Sequence, residues 1–285
     1  MNKIHIFIAV IMICTSAANV ATAQKKRYPV HELSVSLSGG QSNLLYKLDG
    51  SSHSGGFGGG VDLGYTYNIK RLFGIVTGFG ISMYNSKLSM NEYAEEYNNV
   101  DEAGDEFTFN YSISGYNEKQ SVIMFSIPVL MKYSVQLGEK ADTKYYVAGG
   151  IKLGIPVSAR ASINAQTVTT SGYYTFEDGT YTDLPEYGFV NGHAGEQSDH
   201  NIKLNVATMV ALETGIRIRA GYQKHLMAGI YLDYSLNNMQ KVKNRHVLEY
   251  QSSHPSLFLY NSVINTEKLN RVNLLGFGLK VGLNF

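Results

Sequence analysis

Asn273–Phe285 reads NLLGFGLKVGLNF, and this stretch decides the fold. From Leu275 to the last residue every second side chain is apolar: Leu275, Phe277, Leu279, Val281, Leu283 and Phe285. Between them stand Gly276, Gly278, Lys280, Gly282 and Asn284. A period of two is the signature of a β-strand, whose successive side chains point to opposite faces. One face here is uniformly greasy, and the other is glycine with single polar groups.

The same alternation recurs upstream. It is visible at 33–38 and 57–69, then at 73–84, 121–135 and 144–163, and again at 204–219 and 226–236. With 272–285 these make eight strands, most of them as long as the 9–11 or so residues a tilted membrane-crossing strand needs. In a soluble sandwich the polar face would be rich in Lys, Glu and Thr. Small residues interspersed with a few large polar ones instead suit the interior of a narrow barrel whose apolar face meets lipid.

Composition agrees. The chain has 29 Gly, 21 Tyr and 12 Phe but no Trp, and its formal net charge is +1. Nothing in that balance argues for nucleic acid as a partner. Met1 to Ala23 carries Lys3, a short apolar run from Ile4 to Ile13 and the small-residue pattern Ala21-Thr22-Ala23, the pattern of a secretory signal peptide cleaved before Gln24. Cys14, the only cysteine, falls inside it, so no disulfide is expected; Ile13 before it argues against a lipoprotein. Open sheet edges leave unpaired backbone groups in lipid, so a membrane reading requires a closed barrel. The expected domain plan is 1–23 signal peptide, 24–30 periplasmic segment and 31–285 barrel.

The connections are unequal. Short turns are expected near Lys70–Leu72, Gly138–Asp142 and Gly221–Lys224, against long polar segments at about 91–120, 164–203 and 237–270. Short turns on one rim and long loops on the other predict periplasmic termini and extracellular loops. The fold expectation is therefore all-β: an eight-stranded, antiparallel, up-and-down transmembrane barrel. A hairpin at 246–263 entering the bilayer would raise the count to ten.

FSIPVLMKY (Phe125–Tyr133), the Gly-rich GGIKLGIPVSA and the terminal aromatic strand resemble the outer-membrane β-barrel domains of Bacteroidota, the PorT-like and OmpA-like barrels. Pro128, Lys132 and Tyr133 carry the strand motif. The terminal strand resembles the signal read by the β-barrel insertion machinery, here Leu279, Val281, Leu283 and Phe285. The peptidoglycan-binding domain that many OmpA-type proteins carry is not expected here, and the chain reads as a barrel and little else. The resemblance allows a secretion-assembly role as an alternative to a structural or surface-interaction one.

The strand phase sends Asp62, Glu213 and Asp233 inward with Lys132, Lys152, Arg160, Arg217, Arg219 and Lys280. Charges in so narrow a lumen must pair, so a salt-bridged plug is expected rather than a pathway, with a small passive pore as the alternative. Pro128 and Pro156, without an N–H to donate, are expected at bulges or bends on the lumen face.

The acidic run from Glu92 to Glu118 lacks the ligand spacing of a calcium loop and reads as solvated loop. Glu196-Gln197-Ser198-Asp199-His200, with His193 nearby, invites a rim hydrolase reading, but adjacency does not make a nucleophile meet its base. His246 and His254 read as surface residues. No catalysis, metal or cofactor is expected. Expected partners are outer-membrane lipid and lipopolysaccharide, the insertion machinery during biogenesis, and surface polysaccharide or a secretion-system component.

Overall fold

The computed structural model describes residues 30–137, 143–194, 197–221 and 224–285. The expected signal peptide, residues 24–29, the turn at 138–142, the tip at 222–223 and Glu196 lie outside the described residues.

Fourteen strands follow in chain order: β1 (His31–Leu45), β2 (Ser51–Asn68), β3 (Phe73–Val100), β4 (Glu106–Gln136), β5 (Thr143–Asn164), β6 (Thr167–Tyr174), β7 (Gly179–Tyr181), β8 (His193–Ala194), β9 (Gln197–Asn201), β10 (Ala207–Gly221), β11 (Lys224–Ser235), β12 (Leu248–Glu249), β13 (Leu259–Tyr260) and β14 (Asn273–Asn284). Eight of them close a ring. Each of β1 to β4 pairs with the next, β5 pairs with β10, β10 with β11, β11 with β14, and β14 returns to β1, every pair antiparallel. Closure is tied at the end by Phe285, whose N–H donates to Leu33 O at 2.8 Å while Leu33 N–H donates to Phe285 O at 3.2 Å. The closing seam is tight. Gly40 faces Gly278 across it, and a Cβ on Gly40 would stand only 2.5 Å from Gly278 Cα.

The outer wall carries the apolar set, with Phe57, Met131, Val157 and Leu279 among its most exposed members at 73%, 70%, 68% and 68%. Near the short turns it ends in aromatic rings: Tyr65 and Tyr67 beside His31, and Phe73 packed on Tyr133 with centroids 4.8 Å apart. Aromatic side chains favour that height because one end of the ring is apolar and the other wet.

Of the segments expected as long loops, 91–120 is built of sheet, 164–203 partly so, and 237–270 hardly at all. β3 and β4 run 28 and 31 residues, against about ten needed to cross a bilayer, and their ladder continues to Val100↔Glu106. The tip is fixed by Asp101, whose Oδ1 accepts from the N–H groups of Ala103 and Asp105 at 2.9 Å each. β6 and β7 widen this raised sheet on the β4 side, and β9 pairs with β5. Glu92 to Glu118 is therefore an ordered hairpin, not a solvated loop.

Above the belt the amphipathic sense inverts. Tyr93, Phe107, Phe109, Tyr111 and Ile113 turn inward and are buried, while Glu92, Glu96 and Asn98 face out. The residues 237–270 fold over this end rather than through the membrane: β12 pairs only with β13, and Val247, Leu248, Val263 and Ile264 are fully buried in the upper cluster. The barrel count is eight, and the 246–263 hairpin adds no spanning strands.

Candidate functional site in the barrel lumen

Inward-facing polar side chains stack in tiers along the barrel. Nearest the short turns, Glu32 on β1 holds two cations, with Oε2 at 3.2 Å from Lys132 Nζ on β4 and 3.0 Å from Arg217 Nη2 on β10. Its Oε1 accepts from Asn68 Nδ2 at 3.0 Å, and Lys132 Nζ also donates to Thr66 Oγ1 at 3.3 Å. In the next tier Lys280 on β14 joins Asp62 on β2 at 3.2 Å and Glu213 on β10 at 2.6 Å. Beside it Lys152 on β5 meets Asp233 on β11 at 2.7 Å, and Tyr84 Oη donates to the same carboxylate at 3.4 Å. These eight charged side chains, four of each sign, are only 3–14% exposed.

The space left among them is small. A cavity of ≈ 10 Å³ lies among Asp62, Tyr84, Lys152 and Asp233, and one of ≈ 50 Å³ between Thr66, Leu130, Lys132 and Arg217. A water needs about 10–15 Å³ of such volume, so the smaller cavity holds at most a single water and the larger one a few.

Above the ion pairs stands Glu118, fully buried and without a cation in ion-pair distance among the described residues. Its carboxylate accepts from Tyr116 Oη at 2.6 Å, Gln120 Nε2 at 2.8 Å, Val263 N–H at 3.1 Å and the Ser262 hydroxyl. Two of those donors belong to the covering segment, so this carboxylate fastens that segment to the wall. Gln240 helps from the segment's other end, donating to Ile264 O and Thr266 O at 2.9 and 2.6 Å.

Higher still, Glu95 accepts from Tyr111 Oη at 2.6 Å and Tyr93 Oη at 3.1 Å, with His246 Nδ1 at 3.2 Å and Lys268 Nζ at 3.6 Å. Burial pushes the Glu95 carboxyl up, but the hydrogen bonds from Tyr111 and His246 outweigh it and hold the group below its usual range. Burial, reinforced by the nearby charge, raises the Tyr93 and Tyr111 phenols well above theirs. His246 also stacks flat on Tyr97, 3.7 Å between centroids. It is a half-buried anchor of the covering segment, not a plain surface residue; His254 is exposed.

Seven of the nine charged residues expected in the lumen meet there: Asp62, Lys132, Lys152, Glu213, Arg217, Asp233 and Lys280. Two do not. Arg160 lies on the outer wall, because β5 bulges: Pro156 pairs with Met124 but Ser158 with Ile123, so Val157 is an extra residue and the phase reverses beyond it. Arg219 lies exposed at the rim, its Nε donating to Gly221 O at 3.3 Å.

The motif residues divide by direction. Tyr133 faces out into the aromatic rim, Lys132 faces in to Glu32, and Pro128 lines the larger cavity. Opposite Pro128 the β3–β4 ladder skips two rungs, between Thr77↔Val129 and Gly80↔Ser126, and Gly78 takes a φ of 151° there. Pro128 marks a gap in the ladder and Pro156 a bulge.

Sequence reasoning missed Glu32, Glu118 and Glu95. Glu32 was findable, being in phase with Ser34 and Ser36. The other two sat in a segment read as loop. Of the hydrolase group, His193 is on β8 against β6, and His200 on β9 against β5. Among the described residues no three His, Cys, Asp or Glu side chains are arranged to hold a metal.

A closed antiparallel ring with an apolar outer belt and a charge-filled interior defines a transmembrane β-barrel of the outer-membrane class. The chain belongs to the outer membrane protein beta-barrel domain family, whose model matches residues 22–240. It is an outer-membrane β-barrel protein of bacteria.

Among solved structures it is similar to Neisserial surface protein A, with 11% identity, 90% of this chain and 96% of that one covered, and a TM-score of 0.37. Others are Ail, the attachment invasion locus protein of Yersinia pestis (13%, 89% and 98%, 0.30), and the translocator domain of the autotransporter NalP from Neisseria meningitidis (10%, 99% and 95%, 0.25). Likeness at those scores adds nothing to the strand pairing. No curated protein sequence matches the chain.

Proposed function

We propose that the protein is a non-catalytic, non-conducting surface-interaction element, with the raised sheet outside the cell and both termini in the periplasm. The observation that carries this reading is the inverted amphipathic sense of β3, β4 and β6 above the lipid belt: aromatic rings packed inward and a wall of Glu92, Glu96, Asn98, Thr108, Asn110, Ser112 and Thr169 turned to water. A barrel that only spanned the membrane would have no use for strands two to three times the bilayer-crossing length. Polar, Ser/Thr/Asn-rich sheet of this kind suits hydrogen bonding to polysaccharide or to host and neighbouring surface proteins. The five carboxylate–cation pairs that fill the lumen favour a closed barrel over a small pore. Nothing among the described residues favours the secretion-assembly alternative.

Topology is tested by single cysteines in intact cells. Ala103→Cys, at the exposed tip of the β3–β4 hairpin, is expected to react with a membrane-impermeant maleimide, while Lys70→Cys at the short-turn rim reacts only after the outer membrane is breached. The reverse pattern would overturn the orientation.

A further inference from the structure

We propose that Lys87, Lys119 and Arg160 form a phosphate-binding clamp on the outer wall, taking the headgroup phosphate of the outer-leaflet glycolipid; this rests on the orientation proposed above. On β3, β4 and β5 the continuous apolar outer belt ends at Met83, Ile123 and Val157. The three cations follow on the same face, all exposed, on three adjacent strands. Four residues at about 3.3 Å each along a strand tilted by about 40° put Lys87 and Lys119 about 10 Å above the apolar edge. A lysine stem can reach back over most of that distance, into the zone of lipid phosphates.

The register makes the cluster a site rather than a scatter. Lys87 stands directly opposite Lys119 in the ladder, and like charges so placed repel. A wall shaped only for solubility would intersperse the signs. Instead none of the three cations has an ion pair or side-chain hydrogen bond among the described residues, and Asp199, the nearest carboxylate on the outer face, stands opposite Ser162 and makes no ion pair with Arg160.

Arg160 reaches this face only because of the Val157 bulge. It pairs with Ser121, which places it diagonally from Lys119, within about 7–8 Å. The flanking outward positions Ser54, Ser121 and Ser162 are small and leave room for a headgroup. A phosphate bridging the two lysines, with the planar guanidinium able to bind it through two N–H groups, turns the repulsion into attraction.

The test uses the full chain refolded in maltoside micelles, which contain no phosphate, with native mass spectrometry reading bound glycolipid. Wild type is expected to bind bis-phosphorylated lipid A at least 10-fold more tightly than Lys87→Gln/Lys119→Gln or Arg160→Gln, and to lose that preference for the dephosphorylated lipid. Inorganic phosphate at the same concentration is expected not to bind measurably; binding as tight as the lipid's would overturn the lipid source. In lipid-free micelles Lys119→Gln is expected to melt at or above the wild-type temperature, because it removes a repulsion, whereas with phosphorylated lipid present it melts below. Equal binding by wild type and the double variant, with Ala103→Cys labelled as expected, would sink the clamp alone. Weakened binding by the variants with Ala103 shielded would keep the clamp's phosphate chemistry and discard the outer-leaflet source.

Discussion

Replacing Glu32 with glutamine should lower the barrel's stability to urea by about 3–5 kcal/mol, the cost of leaving buried charge without its partner. Two cations, not one, lean on that carboxylate: Lys132 Nζ and Arg217 Nη2 at 3.2 and 3.0 Å, with all three side chains 3–7% exposed. Glutamine keeps the shape and can still accept from Asn68, so packing changes little and the effect isolates charge. Removing one cation together with the anion, in Glu32→Gln/Lys132→Met, should recover part of the loss. The measurement is the urea midpoint of the folded, faster-migrating gel band in micelles. A loss below about 1 kcal/mol, the range of solvent-exposed pairs, would mean water reaches this tier freely.

Removing Glu118 should free the covering segment without opening the wall. In Glu118→Ala the Ser262 hydroxyl and the Val263 N–H lose their acceptor inside the upper core, as do the Tyr116 and Gln120 side chains. Hydrogen bonds to a charged acceptor contribute about 1.5–3 kcal/mol each. Loss of about 3 kcal/mol between segment and wall accelerates amide exchange at Val263 and Ile264 by roughly 10²-fold, since each 1.4 kcal/mol is a factor of ten. Amides of β10, β11 and β14 should keep their protection because their ladders are untouched. Equal acceleration in those strands would show that Glu118 supports the barrel rather than the segment.

The wall was legible because lipid imposes one simple rule on it. Where Leu275, Phe277, Leu279 and Val281 face a bilayer, alternation is strict and the polar phase names the lumen, as it did for Lys280, Asp62 and Asp233. The rule fails where the strand geometry breaks it. One extra residue at Val157 reverses the phase, so Arg160 emerged on the outer wall, and no local composition announces that bulge beyond the proline preceding it.

The raised sheet was hidden for a different reason. In water the greasy phase must turn inward, so Tyr93, Tyr97, Phe107 and Phe109 occupy the face that lower down holds Gly74 and Ser82, while Glu92, Glu96 and Asn98 occupy the face held there by Ile81 and Met83. Read with the membrane rule alone, such a stretch is simply a polar loop. Glu118, at that change of environment, was correspondingly read as a solvated acid although it is fully buried.

A barrel filled by paired charge and covered by 237–270 should not conduct, and planar-bilayer recording of the purified full chain near neutral pH checks this. A silent membrane is expected: no unitary current steps at insertion levels verified by the shifted gel band. Reproducible discrete steps from the wild-type protein, abolished when it is unfolded by boiling, would contradict it.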